Sequence, residues 1–509
     1  MRIAWAAALS AATFLVGLAP VAAQQPADTC TALNAIGLAN LASIEAVTIQ
    51  RGPFELAATR IEPARTVTLP AHCRVRGVVS PSIRFEVWLP LADAWNGRFQ
   101  AVGGGGLAGV ISYSAMVRAL DGGYATASTD TGHVSPDVEW LGDAGLLRDY
   151  GYRAIHEVTA KTKAVIAGYY GRPADYDYFN GCSTGGRQGL MEAQRFPDDY
   201  DGIVSGAPVN FFVATHYTQL WMALAAKEAS DESILSAADL DLVRAAALVQ
   251  CDATDGVADG VIENPLACDF DPGVLQCSGT EPTQCLRDDQ VLALRKIYSG
   301  PTDPRTGARL HPGFMPSGET EWNVVTDVGL VEIPREYFTR SVMKDPSWDW
   351  RTFDFAEDVD AASQTTAEIL DATNPDLTAF ESRGSKLIVY HGWNDQVIPP
   401  EGSIDYYRSV ENALAARSTR TSPETRDFYR LFMVPGMAHC RGGAGTSEFD
   451  MQKAIEAWVE RGIAPDRIEA SRREDGTVTR TRPLCPYPQT ARYDGTGDTN
   501  DTANFVCAE

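Results

Sequence analysis

The chain has 509 residues, with 43 Lys and Arg against 67 Asp and Glu and a formal net charge of −24. That balance excludes nucleic acid or an anionic membrane surface as the main partner, because phosphate binding needs a basic face. Hydrophobic residues at 44 % and charged residues at 22 % exclude a disordered or fibrous chain, and the length calls for two or three domains or one large fold carrying an insertion.

Residues 1–23 read as a signal peptide, with Arg2 as the charged start, Ile3 to Leu18 as the apolar run and Val21-Ala22-Ala23 as small residues before a cut; the alternative is an uncleaved anchor, for which the apolar run is short. The mature chain is then expected near Gln24, in a secreted or periplasmic setting. No later run reaches the roughly 18 apolar residues of a bilayer span, so no membrane span is expected in the mature chain. Short β-rich stretches follow at 85–89 and 99–102, between Gly and Pro residues. Ile155, Val158, Val165 and Ile166 set a helical period between Tyr152 and Tyr169. A strand is expected over 176–180, a Gly-rich turn over 181–186, a helix over 187–196 and a short strand over 202–205.

From 209 to 382 the pattern breaks into Trp-, Pro- and Asp-rich segments with four cysteines, which reads as an inserted lid domain. Strands return at 386–390 and 429–434, flanking a helix over 403–417, and a last amphipathic helix covers 448–461. This alternation predicts an α/β fold with a mostly parallel sheet, its catalytic domain divided over 24–208 and 383–509. Ten cysteines behind an export signal point to disulfides, and the lack of any C-x-x-C pair argues against zinc.

Gly181-Cys182-Ser183-Thr184-Gly185 fits G-x-S-x-G, the sharp strand-to-helix turn on which a serine hydroxyl stands clear of the sheet. A serine needs a base held by a carboxylate. In the Ser, Asp, His order of that fold class the base follows the serine, which leaves His216, His311, His391 and His439. His439 sits in a turn just after the strand ending at Val434, and Asp395 lies just past the strand 386–390, so these are the candidate base and acid. Cys182 precedes Ser183 and Cys440 follows His439. A Ser183–His439 pair would force those two thiols together, and a disulfide between them would clamp nucleophile to base. For the oxyanion the donors expected are the amide of Thr184 and one from Gly103-Gly104-Gly105-Gly106, with Gly105 the choice and a plain flexible loop the alternative.

Asn180-Gly181-Cys182-Ser183-Thr184-Gly185-Gly186-Arg187, Trp393-Asn394-Asp395 and His439-Cys440 together resemble the tannase and feruloyl esterase family, which includes mono(2-hydroxyethyl) terephthalate hydrolases. The Gly-rich loop, Ser128-Thr129-Asp130-Thr131-Gly132-His133 and the cysteine spacing extend the likeness over nearly all of the mature chain. The resemblance implies an α/β-hydrolase fold with a large inserted lid domain, no organic cofactor and a small ester of an aromatic acid as substrate. It implies the bridges Cys30–Cys73, Cys182–Cys440, Cys251–Cys268, Cys277–Cys285 and Cys485–Cys507. It also implies a structural calcium ion held by the side chains of Asp252, Asp255 and Asp259 and the carbonyls of Val257 and Val261, in a loop whose oxygen donors suit a hard cation.

For the ring pocket the lid offers Trp322, Tyr337, Phe338, Trp348 and Trp350, although aromatic residues there are commonly core. Arg335 stands where a lid arginine of the terephthalate-monoester hydrolases pairs with a carboxylate, and Ile398 stands where those enzymes use an aromatic. The rival functions are a calcium-dependent secreted binding protein on an inactive hydrolase scaffold, and a general lipase or peptidase.

Overall fold

The computed structural model describes Met1 and residues 29–58, 63–227, 232–279, 284–322, 331–417 and 424–509. Apart from Met1, the expected signal peptide lies outside these residues. The strands are β1 (Leu41–Ile49), β2 (Gly52–Leu56), β3 (Arg65–Leu69), β4 (His72–Val79), β5 (Ile83–Pro90), β6 (Arg98–Val102), β7 (Ala125–Thr129), β8 (Tyr176–Cys182), β9 (Gly202–Gly206), β10 (Lys386–Gly392), β11 (Tyr429–Val434), β12 (Ile468–Glu474), β13 (Thr477–Leu484), β14 (Thr490–Tyr493) and β15 (Phe505–Ala508). Nine of them join in the order β1-β4-β5-β7-β6-β8-β9-β10-β11.

The sheet is mostly parallel, as expected, with an antiparallel end. The pairings from β1 through β4 and β5 to β7 are antiparallel, and those from β7 through β6, β8, β9 and β10 to β11 are parallel. A three-residue link between β4 and β5 is too short for a parallel crossover, so that end of the sheet must run antiparallel. The parallel half needs helices as crossovers, which is why its strands carry apolar residues on both faces.

Neighbouring residues on these strands divide between two cores. Phe179, Ile203, Leu387 and Val389 pack on one face with Ile155, Val158, Val165 and Ile166 of the helix Ala154–Tyr170 and Ile404 and Val410 of the helix Glu401–Arg417. Tyr178, Val204 and Ile388 face the other way, onto Met451, Ile455 and Trp458 of the helix Met451–Arg461. Each such side chain contributes about 1.5–3 kcal/mol relative to exposure.

Between β9 and β10 the chain runs through the helices Phe212–Ala226, Ala237–Cys251 and Asp288–Ser299 and several shorter turns. These gather two further cores, one around Phe212, Tyr337, Phe338 and Ile398 and one around Leu240, Leu294, Phe314 and Trp322. All ten cysteines are bonded, in the five pairs Cys30–Cys73, Cys182–Cys440, Cys251–Cys268, Cys277–Cys285 and Cys485–Cys507.

Candidate active site

Ser183 occupies the single residue between β8 and the helix Thr184–Arg195, with φ 63° and ψ −123°. A side chain at such angles is strained, and the strain persists only where the surroundings enforce it. Here Ser183 N donates to Gly206 O at 2.9 Å, and Arg187 N donates to Ser183 O at 3.0 Å. A Cβ on Gly185 would stand 3.0 Å from Gly104 O, so glycine lets the helix start against the Gly-rich loop. Arg187, fully buried, donates to Tyr150 O at 3.1 Å and Gly151 O at 2.9 Å, which pins the same helix from behind.

Asp395 and His439 come from the turns after β10 and β11. Trp393 N donates to Val434 O at 2.9 Å and Asn394 N to Met437 O at 3.0 Å, so the two turns are laced together. A Cβ on Gly392 would lie 2.2 Å from Met437 O, so this approach requires glycine. His439 Nδ1 lies 2.7 Å from Asp395 Oδ2, and Asp395 Oδ1 accepts from Val397 N at 2.8 Å and Ile398 N at 2.9 Å. The carboxylate is fully buried while the imidazole is 18 % exposed, so of the two only the ring reaches the surface. Burial pushes the Asp395 carboxyl up, but the charge of His439 and the hydrogen bonds from His391 and His439 outweigh it and hold the group well below the usual range.

The third member arrives through a disulfide. Cys182 and Cys440 are bonded with their Cα atoms 6.0 Å apart, which seats the residue after the first beside the residue before the second. Among the described residues no hydrogen bond joins Ser183 to His439; such contacts are commonly long before substrate arrives.

Gly103 N donates to Asn180 O at 3.0 Å, and Gly104 N donates to Gln188 Oε1 at 3.0 Å. Gly106 O accepts from Thr184 Oγ1 at 2.5 Å and Tyr150 OH at 3.0 Å. Between them, neither the Gly105 amide nor the Thr184 amide is taken up by a hydrogen bond of the fold among the described residues.

Sequence reasoning gave no role to two side chains that hold this site. Gln396 Oε1 accepts from His439 N at 3.0 Å, and His391 lies behind Asp395. His391 had entered only as one of four possible bases.

The lid candidates divide. Trp322 is 1 % exposed and enclosed with Phe314 and Tyr298, which corrects its assignment as a ligand platform: it is core and leaves no face for a ring. Tyr337 and Phe338 are likewise wholly buried. Ile398 packs among Tyr150, Phe212 and Phe338, and its backbone serves Asp395. Arg335, half-exposed and paired with Glu336 at 3.1 Å, lines a cavity of about 490 Å³ with Arg340, Trp348 and Trp350.

The acidic loop keeps a set of oxygens without donors. Asp252 accepts from the amides of Asp259, Gly260 and Val261 at 3.1, 2.8 and 3.3 Å, which folds the loop around its side chain. Asp259 Oδ2 meets Arg482 at 2.5 Å and Arg480 at 3.3 Å, while its Oδ1 is buried without a partner. Burial, with Asp259 and Asp252 adding to it, pushes Asp255 up to about 6. The buried carbonyls of Val257 and Val261 accept no hydrogen bond among the described residues. Orphaned oxygens and mutually repelling carboxylates fit a hard cation. The three carboxylates are not drawn within 4.8 Å of one another; among the described residues the group that is consists of His156, Glu192 and Asp199.

Known proteins share the sequence and the fold over most of the chain. The family described as tannase and feruloyl esterase matches residues 67–508. A mono(2-hydroxyethyl) terephthalate hydrolase of Piscinibacter sakaiensis is 35 % identical, over 87 % of this chain and 86 % of its own. A probable feruloyl esterase of Arthroderma benhamiae is 37 % identical, over 85 % and 83 %. The crystal structure of feruloyl esterase B from Aspergillus oryzae superposes with a TM-score of 0.85 at 30 % identity, covering 94 % of this chain and 99 % of that one. The chain belongs to the tannase and feruloyl esterase family and is a carboxylic ester hydrolase with the α/β-hydrolase fold.

Proposed function

We propose that the protein is an exported serine esterase that hydrolyses esters of aromatic acids through an acyl-enzyme on Ser183. The observation that carries the reading is the Asp395–His439 hydrogen bond of 2.7 Å lying next to the Cys182–Cys440 bridge, which delivers acid, base and nucleophile from three distant segments. His439 Nε2 takes the proton of Ser183 Oγ as that oxygen attacks the ester carbonyl, and Asp395 holds the imidazolium that forms. The amides of Gly105 and Thr184 receive the oxyanion. His439 then gives its proton to the leaving alcohol. In the second half it takes a proton from water as that water attacks the acyl carbonyl, then returns the proton to Ser183 Oγ as the acyl–oxygen bond breaks, which frees the aromatic acid and restores the serine.

The aromatic acyl group comes from the relatives, whose names specify feruloyl and terephthalate esters. Residues 209–382 act as the lid over the ring, with the Arg335 cavity as the part of it that offers charge. Calcium, held by Asp252, Asp255 and Asp259 and the carbonyls of Val257 and Val261, supplies a structural charge and no chemistry. Five disulfides fit an oxidising compartment, in keeping with export.

The test is kcat/KM of calcium-loaded protein on methyl gallate, methyl ferulate, mono(2-hydroxyethyl) terephthalate and a 4-nitrophenyl ester, beside Ser183→Ala. One aromatic ester should be strongly preferred, and the variant should lose at least about 10⁴-fold. Preference for simple acyl or amide substrates would make it a lipase or peptidase, and turnover unchanged in Ser183→Ala would remove the triad.

A further inference from the structure

Asp395 Oδ2 receives two imidazoles. His439 Nδ1 lies 2.7 Å from it and His391 Nε2 3.1 Å, while the backbone amides of Val397 and Ile398 fill Oδ1. His391 sits at the end of β10 with its side chain 0 % exposed, so no water competes for either of its nitrogens. A carboxylate only accepts, so Nε2 carries the hydrogen that faces Asp395. The other nitrogen, Nδ1, lies 2.7 Å from Ser403 Oγ in the first turn of the helix Glu401–Arg417, which fixes the ring against a flip. From β11 the register partner is Met433, which carries no charge, so Asp395 is the charged group hydrogen-bonded to this ring.

We infer that His391 is a positioning residue: braced by Ser403, it holds the Asp395 carboxylate so that Oδ2 keeps facing His439 while the charge on His439 comes and goes. This rests on the reading of Ser183, Asp395 and His439 given above. Two amides hold Oδ1 and two rings share Oδ2, so without His391 the second oxygen rests on His439 alone, the partner whose protonation changes in the reaction. His391 also draws electron density from Asp395. Without that donor the carboxylate binds the charged form of His439 more strongly, and the base becomes free only at higher pH.

The experiment follows labelling of Ser183 by a fluorophosphonate and hydrolysis of 4-nitrophenyl acetate between pH 5 and 9, in the whole calcium-loaded protein. His391→Leu, which fills the space without a donor, is expected to lose about ten- to hundredfold in kcat with little change in KM, the loss of one hydrogen bond to a charged group. The acid limb of its kcat/KM profile moves up by about half a pH unit or more. His391→Gln retains an N–H and should recover most of that loss. Ser403→Ala, which removes only the brace, should lose a smaller amount in the same direction.

Two results overturn the inference alone: wild-type labelling rates and pH profile in His391→Leu and Ser403→Ala, or an equal loss in all three variants with an unmoved acid limb and a lower melting temperature, which is packing and nothing else. Failure of the wild-type protein itself to label at Ser183 removes the serine esterase reading, and the role of His391 with it.

Discussion

Glu319 is fully buried under the turn that carries Asp395. Its Oε1 accepts from Tyr298 OH at 2.5 Å and Ser317 N at 3.1 Å, its Oε2 has no partner, and Ser317 O accepts from Asn394 Nδ2 at 2.8 Å, one residue before the acid. Burial pushes its carboxyl up to about 7, with those hydrogen bonds opposing only in part. A folded-state value above the ordinary 4.5 means that the native protein holds a proton the unfolded chain releases. Its contribution is therefore fully present below about 4.5 and is lost as pH rises towards 7. Glu319→Gln removes the titration, so between pH 4.5 and 7.5 the variant should gain about 1–3 kcal/mol relative to wild type in urea unfolding. Parallel curves across that range would show that the carboxyl is ionised and satisfied in the native state. Glu319 and His391 drew no role from the sequence because Tyr298 and Ser403, which complete their environments, stand 21 and 12 positions away with no motif to link them. Ser183, Asp395 and His439 were legible because each stands at the end of an apolar strand.

At the scale of elements, the turn between β8 and the helix Thr184–Arg195 shows what glycine hides. The helix begins three residues before its expected start. Gly185, Gly186 and Gly189 lower its apparent propensity, yet they are what allows it to press on β9: a Cβ on Gly186 would stand 2.3 Å from Gly206 O. The four strands β8 to β11 match their expected positions because each is apolar on both faces. The hairpins β12–β13 and β14–β15 gave no such signal, since β13 alternates threonine and arginine and is mostly exposed along its first half. Cys182–Cys440 ties the nucleophile turn to the base turn covalently, closing a separation of 258 residues. The double change Cys182→Ser, Cys440→Ser is expected to cost about 2–5 kcal/mol of stability. At a temperature where the variant is still folded, kcat should fall about tenfold or more, because a small misplacement of His439 relative to Ser183 is amplified in rate. Calorimetry and steady-state kinetics on the same preparation separate the two effects. An unchanged kcat in folded protein would show that β8 and β11 set the geometry without the bridge.

Over the whole molecule, a charge of −24 sets carboxylates against one another, and the acidic loop concentrates that repulsion where two parts of the chain meet. Val257 packs with Cys485, Ala491 and Phe505, Asp259 pairs with Arg480 and Arg482 of β13, and Glu263 Oε1 accepts from Ala491 N of β14 at 2.7 Å. The loop thus joins the segment between β9 and β10 to the C-terminal hairpins. Family resemblance in the sequence implied a cation site; the hairpins that brace the loop left no trace, because their arginines lie more than 200 positions away. An ion bound there is expected to stabilise this junction and leave the chemistry alone. Removing calcium with a chelator should lower the melting temperature by several degrees, since a ligand at 100 times its dissociation constant contributes about 2.7 kcal/mol. Asp255→Asn should melt low with or without chelator, because the site is already spoiled. Initial rates at 25 °C should stay within about twofold of wild type in both cases, for as long as the protein remains folded. A loss of rate ahead of any loss of structure would instead mean that the junction steers the turns bearing Asp395 and His439, and that the ion acts on the active site through them.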